Sequence, residues 1–353
     1  MPQKTVFIIG AGASKEVNLP VGSELKKTIA KILTFTGENI YGYPLNGDLT
    51  IIKAISSISS GKNQAQSIFN ACDVICKAMP MAPSIDNFLD VRSDDELIVF
   101  CGKLAIVRAI LQAEASSSLS VDTHNNTINF EKIEETWFNR FFQNLTENCK
   151  LPDLEKRLKS IALIIFNYDR CIEHYLYNAF QNYYPINSED TSSLLKNLEI
   201  YHPYGAIGLL PWQDSSTKAV EYGANPSAEQ IIELAQQIKT FTEGTEKSPN
   251  EIKHIHFLME KSNRHIFLGF AFHRLNMDLL LPRKVRIPDL HKKRDIYATC
   301  RGESVHDETQ IKNELMNRLG GNTDSSKSLV KIHISDRTCS ELLKDYKRGL
   351  SFV

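Results

Sequence analysis

A chain of 353 residues with 42% hydrophobic side chains can bury a substantial core and fits one large domain or two ordinary ones. Its 41 basic and 42 acidic residues leave a formal net charge of -1, which excludes a global field for nucleic acid, anionic membrane or an acidic partner. Seven cysteines, at 72, 76, 101, 149, 171, 300 and 339, form neither a disulfide framework nor a paired CxxC zinc module, so mostly buried, reduced thiols are expected.

Met-Pro-Gln-Lys leads into a short apolar run ending at Gly10, too short for a signal peptide or a membrane span, and a cytoplasmic protein is expected. Within that run Val6-Phe7-Ile8-Ile9 has the pattern of a strand buried on both faces of a parallel sheet. A helix should begin near Gly22-Ser23, with Ser23 as its N-cap, and run through Leu25, Ile29 and Ile32. Residues 37–49 are rich in Gly, Asn, Pro and Tyr, and nearly every periodic stretch of 50–149 reads as helix, for example Leu97, Cys101, Leu104, Val107 and Leu111. Residues 115–126, including Asp122-Thr123-His124-Asn125-Asn126, are polar and loop-like.

The strand pattern resumes with the apolar run from Ile161 to Phe166, followed by a helix from Cys171 to Phe180. Further strands are expected at Leu198 to Tyr201, His265 to Leu268, Asp295 to Thr299 and Leu329 to Ile334, with helices at Asp307 to Leu319 and Thr338 to Leu350. Residues 213–250 carry one amphipathic helix near Ala228 to Ile238 and read as a mobile cover. Strands alternating with helices predict an α/β fold: a Rossmann-like, doubly wound, mostly parallel sheet from 1–49 and 150–353, with 50–149 as a helical insertion.

Four segments sit where such a sheet carries chemistry. Gly10-Ala11-Gly12-Ala13-Ser14 turns from the first strand, where glycines let a backbone approach a pyrophosphate. Lys15 replaces the third glycine of the dehydrogenase fingerprint and no second strand brings a ribose-binding acid at the usual distance, which disfavours hydride transfer. A tight packing turn accounts for the same glycines. Asn167-Tyr168-Asp169 follows the strongest strand: Asn167 can orient a water or a carboxamide and Asp169 can accept from an amide, although an Asx turn capping the next helix uses the same residues. Tyr201-His202-Pro203-Tyr204-Gly205 holds an imidazole at another strand end, which makes His202 the natural general base among ten histidines. Gly269 and Phe270, after a further strand, can offer an adenosine a backbone approach and an apolar wall, or simply pack the core.

Taken in order, Gly10-Ala11-Gly12-Ala13-Ser14, Ser84-Ile85-Asp86-Asn87-Phe88-Leu89, Phe166-Asn167-Tyr168-Asp169, His202-Pro203-Tyr204-Gly205 and Leu268-Gly269-Phe270 resemble the sirtuin-like NAD-hydrolase family of bacterial antiphage defence, over almost the whole chain. The four cysteines that hold a structural zinc in sirtuin deacylases have no counterpart here, since Cys72 and Cys76 are the one close pair. The resemblance therefore implies cleavage of the nicotinamide–ribose bond of NAD⁺ without a metal, rather than deacylation. It implies that Asn167 holds the attacking water, Asp169 orients the nicotinamide carboxamide, and His202 acts as base. Gly10 to Ser14, with Gly269 and Phe270, would bind the dinucleotide. It further implies self-association and a HerA-like ATPase partner, with no membrane contact and no nucleic-acid contact by this chain alone. ADP-ribosyl transfer and a silent NAD-sensing scaffold are the alternatives.

Overall fold

The computed structural model describes residues 4–37, 43–122, 127–214, 219–247, 249–282, 293–320 and 327–352. Six parallel strands form its central sheet: β1 (Thr5–Ile9), β2 (Ile161–Ile165), β3 (Glu199–Tyr201), β4 (Arg264–Leu268), β5 (Arg294–Thr299) and β6 (Val330–Ser335). Their spatial order is β3-β2-β1-β4-β5-β6. The chain thus winds outward from β1 in one direction, returns to the other side of β1, and winds outward again. Ligands of open α/β sheets bind where the winding reverses, at the carboxyl ends of the strands, here between β1 and β4. The doubly wound expectation holds, and each of the six expected strands is present.

The apolar runs are continuous because both faces of the sheet are covered. Phe7, Ile9, Leu163 and Ile165 point to a layer containing the helices Trp137–Thr146, Leu151–Lys159, Cys171–Tyr183 and Cys339–Asp345. Val6, Ile8, Ala162 and Ile164 point to the opposite layer, with Pro249–Lys261, Arg274–Leu280 and Val305–Leu319.

A third cluster is helical. It joins Ile51, Ile55, Ile68, Ile75 and Leu104 of the 50–149 region to Leu25 and Ile29, and to Ile231 and Leu234. The helices of 50–149 thus go to two places, with residues up to Leu111 in this cluster and Trp137–Thr146 against the sheet. The helix at Ala228–Ala235, expected in a mobile cover, buries Ile231, Leu234 and Ala235 in the helical cluster.

Two local expectations change. The early helix spans Gly22–Ile32, so Ser23 lies inside it rather than at its cap. Glu24 supplies the cap interaction instead, its carboxylate accepting the Val21 N–H at 3.1 Å. The polar segment 115–126 contains a short antiparallel pairing of Val121–Asp122 with Thr127–Ile128, and Thr123, His124, Asn125 and Asn126 lie outside the described residues. Among the described residues no helix is long and apolar enough to cross a membrane, and all seven cysteines are free, six of them buried.

Candidate functional site at the strand ends

Strand register brings the four segments together. Ile9 pairs with Ile165 on one side and with Leu268 on the other, so Gly10, Phe166 and Gly269 leave the sheet at one level. Tyr201 pairs with Ile164, which sets His202 level with the last residue of β2. The grouping follows from parallel strands whose carboxyl ends lie in register.

The glycines do a specific steric job. The Gly12 N–H donates to the Gly269 carbonyl at 3.0 Å, and the Gly10 N–H donates to Leu268 at 3.0 Å. Gly269 has φ +55°, a left-handed conformation that suits glycine, and its own N–H donates to Thr299 Oγ1 at 2.8 Å. A Cβ on Gly269 would stand 2.0 Å from the Ala13 nitrogen, one on Gly10 2.5 Å from the Gly269 oxygen, and one on Gly12 2.8 Å from the Gly269 Cα. Two backbones therefore cross in contact at the reversal point. The Gly12 and Ala13 amides are engaged there, Ala13 donating to Gly10 at 2.9 Å, while Ala11, Gly12 and Gly269 keep partial exposure.

The loop is held from behind. Trp137 Nε1 donates to the Ala13 carbonyl at 2.9 Å. The Glu16 carboxylate accepts the N–H of Trp137 at 2.7 Å and that of Ser340 at 2.9 Å, joining two helix starts to the loop. Burial raises the Glu16 pKa against these bonds.

Ser14 is 2% exposed and faces inward. Its hydroxyl accepts from Asn167 Nδ2 at 3.0 Å, which links the β1 loop to the β2 end, and it helps hold the Asp169 pKa down against burial. The Ser14 Oγ is therefore part of an internal polar chain rather than facing a phosphate. Asn167 is 5% exposed, and its Oδ1 is buried with no hydrogen-bond partner among the described residues. A buried acceptor left over in this way costs roughly 1–3 kcal/mol, and a site prepared for a donor is a physical reason to retain it.

Asp169 Oδ1 accepts the Cys171 N–H at 3.1 Å, the Asx geometry that starts the Cys171–Tyr183 helix. Burial raises its pKa, and the Glu173 charge adds to the rise. Arg170, between them in sequence, is 1% exposed and forms an ion pair with Glu114 at 2.6 Å; it also donates to the Val220 and Glu221 carbonyls at 2.6 and 3.1 Å. Glu114 takes the Gly223 N–H at 2.9 Å. This pair ties the Glu96–Ser116 helix and the 220–223 segment to the end of β2.

His202 does not have the freedom expected of a base. Its Nδ1 lies 3.1 Å from the Asn167 carbonyl oxygen and its Nε2 2.7 Å from Glu173 Oε1. Burial pushes the imidazole down, but the Glu173 carboxylate, the Asn167 carbonyl and the Asp169 charge together outweigh it and the pKa lies above the ordinary value.

Phe270 turns its ring inward, 5% exposed, with ring centroids 5.0 Å from Phe166, 5.6 Å from Phe267 and 5.1 Å from Phe272. It packs the core beneath the crossing. Two polar residues enter the neighbourhood without having been singled out for chemistry. Glu173 is one, and an acid in the first turn of a helix that follows a strand-end carboxylate is the pattern that could have flagged it. Asp86 is the other: it receives the Tyr168 hydroxyl, and burial raises its pKa. Among the described residues no group of three or more His, Cys, Asp or Glu side chains is placed to hold a metal ion. The chain matches no protein-family model and no curated protein.

Proposed function

We propose that the chain is an NAD⁺ glycohydrolase, releasing nicotinamide and ADP-ribose, and that NAD⁺ depletion in antiphage defence is its role. The observation that carries the reading is Asn167: a buried carboxamide, anchored through Nδ2 to Ser14, with a spare Oδ1 at the carboxyl end of β2 in a 3-2-1-4-5-6 sheet. Such an acceptor suits a water or a ribose hydroxyl.

The bond between ribose C1′ and the pyridinium nitrogen breaks with its electron pair going to the nicotinamide ring, which becomes neutral. Little acid assistance is needed, so placement of the water dominates. The water oxygen bonds C1′ from the vacated direction, and its proton passes to the Asp169 carboxylate and then to solvent. Asn167 Oδ1 accepts the other water hydrogen and fixes the approach.

Free nicotinamide released from NAD⁺ by the purified chain tests this directly. Asn167→Ala should lower turnover by at least about a hundredfold while the protein still melts cooperatively, the scale expected for losing a placed polar group in a transition state. A folded Asn167→Ala variant with near-normal turnover would remove the residue from the reaction.

A further inference from the structure

We infer that Glu173 and His202 act as one positioning unit for Asn167, with His202 as a fixed hydrogen-bond donor and not as the base. The inference rests on the NAD⁺-cleavage reading for its kinetic consequence, but its structural content stands separately.

The argument begins with proton placement. A carbonyl oxygen only accepts, so the 3.1 Å contact from His202 to the Asn167 carbonyl puts a hydrogen on Nδ1. The 2.7 Å contact from Nε2 to Glu173 Oε1 contains a second proton, shared between imidazole and carboxylate. Neither ring nitrogen then offers a lone pair to a substrate. The groups facing the imidazole are the Glu173 carboxylate from the helix, the Asp169 carboxylate from the β2 end, and the Asn167 carbonyl. All three favour retention of both protons.

The unit has a consequence one residue away. The donor from His202 fixes the peptide plane of Asn167 while Ser14 fixes its amide nitrogen, so the spare Oδ1 is held from both ends. Glu173 has its side chain 4% exposed and leaves its own Oε2 buried without a partner among the described residues. A second acceptor thus lies on the Glu173 carboxylate, whose other oxygen holds His202. The pair is also costly to break, since losing one member leaves a buried charge alone.

The two roles for His202 predict opposite pH dependence. A base must lose its proton to work, so turnover would rise with pH through the His202 midpoint. A positioning donor must keep its protons, so turnover would level off once Asp169 is ionised and fall about tenfold per pH unit above the His202 midpoint.

The test measures nicotinamide release against pH for the wild type and Glu173→Gln, together with ¹⁵N NMR of the imidazole nitrogens in the same proteins. Expected is a wild-type turnover that falls as pH rises, with both His202 nitrogens protonated at neutral pH. In Glu173→Gln the midpoint should drop by about one pH unit or more, with kcat at pH 7 down at least about tenfold and KM for NAD⁺ little changed. Turnover rising through the His202 midpoint, an Nε2 free of hydrogen at neutral pH in the wild type, or a Glu173→Gln profile that superimposes on the wild type would each overturn the inference. If the wild type does not cleave NAD⁺, the functional reading fails while the NMR titration still decides the pairing. Should Glu173→Gln not fold, the wild-type pH profile and NMR decide it alone.

Discussion

Two regions meet at the carboxyl ends of the strands, and they are built on opposite principles. At the crossing of β1 and β4, Gly10, Gly12 and Gly269 are in backbone contact, and the Gly12 N–H with both backbone polar groups of Gly269 has protein partners. At the ends of β2 and β3, Asn167, Asp169 and Glu173 are buried and His202 is partly buried, with two acceptor oxygens left over. The first region is a joint and the second is a largely buried polar cluster. The difference teaches that a strand-end position admits chemistry without assigning it: whether the polar groups there are already satisfied decides what they can do.

The comparison breaks most severely at Gly269. Alanine there must adopt φ +55° with its Cβ 2.0 Å from the Ala13 nitrogen and 2.3 Å from the Gly12 carbon, so one of the two loops has to move. Strain and overlap together should cost at least about 3 kcal/mol in urea unfolding. Gly12→Ala, whose Cβ would stand 2.8 Å from the Gly269 Cα, should cost less, about 1–3 kcal/mol. Equal and negligible losses at both positions would mean that the crossing is not the joint described.

Ser14 bridges the two regions, and its removal should have a smaller effect divided between stability and activity. Ser14→Ala leaves Asn167 Nδ2 without its 3.0 Å acceptor, which should cost about 1–2 kcal/mol. Because the carboxamide is then free to turn, nicotinamide release should fall by about tenfold, with kcat affected more than KM. A variant that loses stability but retains full turnover would confine Ser14 to a structural part.

The sheet was legible because Val6 to Ile9, Ile161 to Ile165 and Phe267-Leu268 are unbroken apolar runs, which burial on both faces demands. Their order could not be read, since nothing in the residues of β4 says that it returns beside β1. The meaning of Gly269 therefore stayed hidden, because the demand for glycine comes from the backbone of Gly12 and Ala13, far away in the chain. The same holds for Ser14, whose inward direction depends on where β2 places Asn167. Position identified His202 and residue type suggested a base, but a base requires a free lone pair, and that depends on Glu173, a neighbour only after the helix has formed. Phe270 was ambiguous between wall and core, and the company of Phe166, Phe267 and Phe272 places it in the core.

The smallest change in shape is Asp169→Asn, and it sharpens the comparison by separating fold from chemistry. Asparagine retains an oxygen for the Cys171 N–H, 3.1 Å from the present Oδ1, so the helix start survives. Burial raises the Asp169 pKa above its ordinary value, aided by the Glu173 charge. Its ionisation therefore weakens the fold as pH rises through the folded-state value, and that penalty is absent below the unfolded one. Asp169→Asn removes the penalty, so the variant should equal or exceed the wild type in stability at pH 7 by up to about 1 kcal/mol, with the difference vanishing toward pH 4. Turnover should nevertheless fall at least about tenfold, because an amide cannot take the water's proton. Stability retained with activity lost is the mark of a carboxylate kept for chemistry against the preference of the fold. A loss of more than about 2 kcal/mol with turnover unchanged would reduce Asp169 to a helix cap, and the proton would then have to leave through another group.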